Sequence, residues 1–507
     1  MRKTEAKYGS EARDKLFVGV RRVYDAVSHT MGARGRNAIY AKWNMPIVTN
    51  DGISIAREVI PEDKYEYLGA ESIKQASEQT NEEAGDGTTG TIVLAYHMLL
   101  NGRDALDSGA NPMVLRREME EAKERIIAAL KEKAVPVSDL KQVAQVSVED
   151  EKLAELVSGI VQEVGIDGSV LVQESNGTDI RSETMRGYTW NKGYVSPYMV
   201  TNQKGEAAVE DAAVILTDKN LNLNTQLITA LQSIGKKGIR NVVVVAPEFD
   251  GELLQTAIAN KQQGNMNIIA VKHPGTNEEL EDLAVVTGAI AVTKDKGITE
   301  ITAEHVGKAD KIIATKDRTI VVGNASFALD IEGRVSEIRN HIDAQDGEKY
   351  GDIELLKTRL SRLAGGIATI KVGGHTEAER AYHKMKIDDA VGATRSALEE
   401  GIVPGCGTTL RELSDLLTDA IDGERVLKLA LRKPYEQVLT NAGFDEEKIK
   451  IGNYWNVLTG EEVDDMMEAG IVDPAKVLRC MIENATSTAK TLLTTECAIV
   501  DVPEEKD

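Results

Sequence analysis

Gly85-Asp86-Gly87-Thr88-Thr89-Gly90 is the stretch on whose reading the fold turns. It has the G-x-G-x-x-G spacing of a dinucleotide-binding fingerprint. That fingerprint needs a strand running into it and a helix leaving it. Residues 67–86, YLGAESIKQASEQTNEEAGD, hold no β-branched run and read as a helix. Residues 91–100, TIVLAYHMLL, read as the next helix. A helix, an acidic glycine turn and a second helix exclude a Rossmann sheet. A P-loop is excluded too, because no G-K-[ST] follows.

The turn then has two readings. It is either a helix start satisfied by its own Asp and Thr side chains, or an anion site. In the second, backbone N–H groups at the helix start and the Thr hydroxyls face phosphate oxygens. Asp86 repels phosphate by itself and makes sense there as a Mg²⁺ ligand, with the metal bridging carboxylate and phosphate. Moving outward, Thr30-Met31-Gly32-Ala33-Arg34-Gly35-Arg36-Asn37 is a second small-residue turn after a helix. Thr49-Asn50-Asp51-Gly52 is an acidic turn after the apolar run MPIV. Asp51 is either an ordinary turn residue or a carboxylate that orients water for attack on a γ-phosphate. Asp388-Asp389 is expected to open a helix over 388–400, where carboxylates suit the helix dipole.

Both chain ends read as helical. Leu16, Val20, Val23 and Val27 fall at helical spacing. Helices are expected over 112–134, with Asn111 as cap and Pro112 in the first turn, and over 474–493. The middle differs. Strands are expected at 212–217, 241–247, 267–273 and 289–294, with helices at 225–234, 252–263 and 277–286 between them. This alternation predicts an α/β module with parallel pairing, inserted into a helical body. Gly187, Gly193, Gly365 and Gly366 flank it, as hinges or as turn residues. The last residues, EEKD, read as a frayed tail.

The chain has 507 residues, enough for about three domains. Aromatics are only 4%, so Ala, Val, Ile and Leu must supply the core. A net charge of −22 repels nucleic acid. Three cysteines, Cys406, Cys480 and Cys497, are too few for a disulfide framework. No signal-like or membrane-spanning apolar run is present, so the expectation is a soluble cytoplasmic protein.

In order and spacing, the chain resembles the group I chaperonins, the GroEL family, over nearly its whole length. The matching stretches are TMGARGRN (30–37), NDGISIAREV (50–59), AGDGTTGTIVLA (84–95), GANPMVLRREME (109–120), NKGYVSPYM (191–199), LAGGIATIKVGG (363–374), DDAVGATRSALEEGIVPGCG (388–407) and AGIVDPAKVLRC with TTECAIVD (469–501). The resemblance implies a multidomain α and α/β fold. A mostly helical equatorial domain would comprise 1–132 and 400–507. A small α/β intermediate domain would comprise 133–185 and 368–399, and an α/β apical domain 186–367. Hinges would fall at Pro136 and Gly401, and at Gly187 and Gly366.

The same resemblance implies ATP, Mg²⁺ and K⁺ as cofactors. Thr30, Met31, Gly32, Ala33, Asn50, Asp86, Gly87, Thr88, Thr89 and Gly90 would surround the phosphates, with Asp86 on the metal. Gly405, Cys406, Asn456 and Asp473 would contact the nucleoside. Asp51 matches the hydrolytic carboxylate, and Asp389 a carboxylate brought in on closure. Non-native polypeptides would bind Tyr194, Tyr198, Met199, Ile228, Leu231, Leu254, Ile258 and Ala259, with Leu231 and Ile258 at least partly exposed. The partners would be further copies in a heptameric ring, single or double, and a small lid co-chaperonin. One Leu-sized contact is worth roughly 1.5–3 kcal/mol, so capture needs the repetition a ring supplies.

Several positions depart from the family. Asn50 stands where Lys is usual, and Gly90 where a third Thr is. Cys406 interrupts a glycine triplet, and Trp455-Asn456-Val457-Leu458 replaces Tyr-Asn-Ala-Ala. His273-Pro274-Gly275-Thr276-Asn277 lacks the aromatic of the usual apical loop, and no Gly-Met-rich tail precedes the end, DVPEEKD.

Overall fold

The computed structural model describes residues 3–42, 45–148, 150–165, 169–175, 177–202, 205–222, 227–298, 300–344, 350–364 and 366–502. The chain divides into two compact units. One comprises residues 1–159, 174–179 and 372–507, and the other 160–173 and 180–371.

The first unit is a helical body made from both ends of the chain. The helices Gly9–Val27, Lys64–Ala84, Thr88–Asp107, Pro112–Lys133 and Ala475–Leu493 share one core, which Leu16, Val20, Val23 and Val27 enter from one face of the first helix. Local chemistry sets the helix starts. Asp63 accepts from the N–H groups of Tyr65 and Glu66, and Asn111 from those of Met113 and Val114, with Pro112 at the first turn. Four two-stranded ribbons edge this body. Lys3–Tyr8 pairs antiparallel with Cys497–Val502, and Ala38–Lys42 with Met45–Thr49. Ile402–Pro404 pairs with Val472–Pro474, and Trp455–Asn456 with Glu461–Glu462.

The second unit is built on an eight-stranded sheet. Its order is Ser169–Glu174, Gly366–Val372, Arg181–Trp190, Thr319–Gly323, Gly307–Ala314, Ala207–Leu216, Asn241–Ala246 and Asn267–Lys272. The last three strands are parallel, as their alternation with helices predicts. Their side chains sort with period two. Val243 and Val245 enter the core under the helix Asn277–Thr287, whereas Val242 and Val244 enter the core under Leu227–Lys236 and Gly251–Gln262. Covered on both faces, Asn241–Ala246 can be a continuous apolar run.

Three expectations change. The strand expected at 289–294 is reduced to one bridge between Val292 and Thr217. Its backbone is satisfied otherwise: the Thr217 hydroxyl donates to the Val292 carbonyl at 2.7 Å, and the Asp218 carboxylate accepts from the Lys294 N–H at 2.9 Å. The helix expected to open at Asp388 begins at Glu377 and runs to Glu400, because the Thr376 hydroxyl caps it by accepting from the Glu379 N–H. Asp388 and Asp389 therefore sit mid-helix, beyond the reach of the terminal dipole. Gly187 and Gly366 are paired strand residues, not turn residues. A β-carbon on Gly187 would lie 2.3 Å from the Val321 carbonyl oxygen. Gly365, residues 225 and 226 of the helix expected over 225–234, and the terminal EEKD lie outside the described residues.

Candidate nucleotide site and apolar surface

The acidic glycine turn lies where two helices of the first unit meet. Lys64–Ala84 ends on Gly85 in the left-handed conformation (φ 73°), and Thr88–Asp107 starts on Gly87, also left-handed (φ 88°). Because the cap residue has no side chain, no side-chain acceptor covers this helix start. The Gly87 N–H turns instead to the Asp86 carboxylate. Ser77 braces the turn by donating to the Thr88 carbonyl at 3.0 Å, and Thr91 does so by donating to the Gly87 carbonyl at 3.0 Å.

Two further turns close on it. The Thr30 hydroxyl donates to the Val27 carbonyl and lies 3.5 Å from the Thr89 hydroxyl. Asn441 pins the loop that follows by donating to the carbonyls of Ser28 and Met31, both at 2.9 Å. Asp51 caps the helix Gly52–Glu58 by accepting from Ile53 and Ser54 N–H groups at 3.3 and 3.0 Å. Gly52 is pressed against Thr89, whose hydroxyl oxygen would lie 2.1 Å from a β-carbon there. Thus Thr30, Asp51 and Thr89 are brought together from three separate helix ends.

The electrostatics fit a cation. Burial raises the Asp86 carboxyl above its ordinary range, and the charge of Asp51 raises it further, against the Gly87 N–H and the Lys386 ammonium. Asp389 is pushed well above its usual range by burial, then by the charges of Asp86 and Asp51, with Lys386 opposing. The charge of Asp51 makes both Asp86 and Asp389 harder to ionise, so this is a site short of positive charge. Oxygen donors of this kind suit Mg²⁺ with a phosphate. Asn50 adds a buried side-chain oxygen with no donor, which suits a cation such as K⁺.

Among the residues expected at the nucleoside, Val403 pairs with Asp473 and Gly405 donates its N–H to the Ile471 carbonyl at 2.9 Å. Cys406 and Gly407 both adopt positive φ, 60° and 71°, so that their N–H groups converge on the Asp473 carboxylate. Burial nevertheless pushes Asp473 up to about 7, and the charge of Asp86 adds to this. Burial, with the Asp473 charge, likewise pushes the Cys406 thiol up to about 12, so it is no thiolate nucleophile. Met31, Ala33 and Cys406 pack against one cluster with Trp455 and Val457. Asn456 spends its side-chain oxygen on its own turn, accepting from Leu458 and Thr459 N–H groups at 3.0 and 3.3 Å.

Some contributors were not legible from spacing. Lys386 is the cation nearest the three carboxylates in effect, and it lies three residues before Asp389 on the same helix. Met481 lies over Gly90: a β-carbon there would lie 2.2 Å from its Cε, the end of a flexible side chain. Trp455 Nε1 and Thr408 Oγ1 are buried without partners near the Cys406 turn.

The second unit carries the expected apolar surface. Tyr198 is 72% exposed and Ile228 46%. Ala259 is exposed, and Tyr194, Leu231, Leu254 and Ile258 are half-buried. Met199 is a correction: it is buried, with its sulfur 3.2 Å from the Ala270 N–H. The short turn Pro197–Met199 directs Tyr198 outward and Met199 into the core, where an unbranched thioether fills space. Lys261 ties this turn to the helix Gly251–Gln262 by donating to the carbonyls of Val200 and Tyr198 at 2.6 and 3.1 Å. Among the described residues no helix is long and apolar enough to cross a membrane.

A helical body closed from both chain ends around an acidic glycine turn, with an α/β sheet unit inserted in the chain between them, defines the chaperonin class of fold. The chain belongs to the TCP-1/cpn60 chaperonin family, whose model matches residues 23–503. Among solved structures it is similar to the chaperonin gp146 from the bacteriophage EL 2 (Pseudomonas aeruginosa), crystallised in the presence of ATP-BeFx. Crystal form II matches with a TM-score of 0.72 at 23% identity, covering 98% of this chain and 99% of that one. Crystal form I matches with a TM-score of 0.65 at 24% identity over the same shares.

Proposed function

We propose that this chaperonin binds ATP with Mg²⁺ at the turn Gly85–Gly90 and hydrolyses it to drive capture and release of non-native polypeptides. The observation that carries the reading is the convergence of Asp51, Asp86 and Asp389, whose charges act on one another beside an uncapped helix start. The N–H groups of that start and the Thr89 hydroxyl hold phosphate oxygens, with the Thr30 hydroxyl, which donates to the Val27 carbonyl, beside Thr89. Asp86 would hold Mg²⁺, which when bound would supply neutralisation of charge on the phosphates. Asp51 accepts a proton from, and so orients, the attacking water. Asp389 supplies a second acceptor. The Cys406–Gly407 turn and Asp473 take the nucleoside, and Asn50 offers an oxygen to K⁺.

The family's three-domain division gives the domains as 1–132 with 400–507, 133–185 with 368–399, and 186–367. Clients dock on Tyr198, Ile228, Leu231, Leu254, Ile258 and Ala259, with Tyr194 behind them. Each contact is weak, so the working form is a ring of copies in the cytoplasm, closed by a small lid. Steady-state ATP turnover of the wild type and of Asp51→Ala tests the reading. Hydrolysis that falls in the variant supports it, and equal rates sink the catalytic assignment. A second reading, a holdase ring of low turnover, is favoured by Asn50 standing where the family has Lys. Client protection without measurable hydrolysis would select it.

A further inference from the structure

The helix Glu377–Glu400 carries Asp389 and, three residues on, Gly392. Glycine inside a 24-residue helix weakens it, because its backbone has the most freedom to lose. What it gains here is close approach. A β-carbon on Gly392 would lie 2.6 Å from both the Cα and the carbonyl oxygen of Gly85, and one on Gly85 would lie 2.6 Å from the Gly392 Cα. Backbone cannot yield as the end of a flexible side chain can. One turn further along, the Ser396 hydroxyl donates to the Ala84 carbonyl at 2.8 Å, satisfying an acceptor left open where Lys64–Ala84 ends. Positions 389, 392 and 396 are spaced by three and four, so they share one stripe of the helix. Along that stripe the turn that holds Asp86 meets a carboxylate, then bare backbone, then a hydroxyl.

We propose that Gly392 is a positioning residue: its backbone seats directly on Gly85, latched by Ser396, and this seat sets how far Asp389 reaches into the phosphate turn. The proposal deepens the ATPase reading of the preceding section and rests on it for its kinetic consequence.

The test uses the full chain with Gly392→Ala, Ser396→Ala, Ser396→Thr and Asp389→Ala, and the double variant Gly392→Ala with Asp389→Ala. Steady-state turnover gives kcat and KM, and hydrogen exchange with ADP and BeFx reads segments 84–91 and 386–397. Gly392→Ala is expected to lower kcat at least tenfold with KM changed less than twofold. Adding it to Asp389→Ala should lower kcat no further, and exchange in both segments should rise. Ser396→Ala should show a smaller loss that Ser396→Thr restores. Wild-type kcat in Gly392→Ala, or a parallel rise in KM, overturns the proposal, as does unchanged exchange. If wild type hydrolyses no ATP the ATPase reading fails instead, and if wild type and Asp389→Ala hydrolyse it equally only the part given to Asp389 fails. The exchange arm then decides the seat alone: faster exchange in Gly392→Ala supports it, and unchanged exchange overturns it.

Discussion

The two units leave opposite things unsatisfied. In the helical unit, the carboxylates of Asp86 and Asp389 are desolvated within reach of the Asp51 charge. In the sheet unit, apolar side chains that a core could use stand in water at Tyr198 and Ile228. Folding by itself favours neither arrangement: charge prefers solvent or a partner, and hydrocarbon prefers burial. Each site is therefore a deficit that a specific ligand can fill, a cation with phosphate in one case and an apolar chain in the other. Residues that look alike in sequence take different parts in it. Tyr198 and Met199 are neighbours in one motif, yet one faces solvent and the other is core.

The sharpest way to break the comparison is to remove the charge deficit. Asp51→Ala should lower kcat by about 10²-fold or more while client capture in the absence of hydrolysis persists, read by steady-state turnover and by aggregation assay. Next is Met199→Ala, which should cost about 2–4 kcal/mol of stability as a large-to-small core change. Denaturant unfolding checks it, and a loss near zero would return Met199 to the client surface. Third is a pH dependence. The Asp473 carboxyl titrates higher in the folded chain, near 7, than in the unfolded one. The folded state thus binds the extra proton between those values, and stability falls as pH rises from about 4 to 7. Asp473→Asn should flatten that slope, by on the order of 2 kcal/mol across the window, measured by melting without nucleotide. Asp86 and Cys406 face the same carboxylate and stay in place in the variant. Fourth, Gly90→Thr should cost less than about 1 kcal/mol, because the Met481 Cε it meets is the end of a flexible side chain that can turn away, and Met481→Ala should remove even that in the double variant, both read by denaturant unfolding. Smallest in stability is Tyr198→Ser with Ile228→Ser, expected within about 0.5 kcal/mol of wild type per site. Client capture should nonetheless fall several-fold, and unchanged capture would remove these residues from the surface.

Much of the fold was legible because local signals agreed. The Asn111–Pro112 start and the 3.6-residue spacing from Leu16 to Val27 place helices without reference to neighbours. The valine run at 241–246 reads as a covered parallel strand for the same reason. Where reading failed, a contact distant in sequence had decided the matter. The Thr376 cap moved a helix start eleven residues upstream of Asp388. Side chains of Thr217 and Asp218 took the hydrogen bonds that a strand at 289–294 would have used.

By itself the sequence determined the family, the helical ends, the inserted sheet and the residue types at the acidic glycine turn, because each follows from short-range spacing or from the order of motifs. Only the tertiary structure decided that Met481 lies over Gly90, that Met199 is core, and that Asp86 and Asp51 bear on Asp389. Those outcomes depend on which atoms come within a few ångströms across hundreds of residues. Packing and desolvation act on that distance, and no local pattern encodes it.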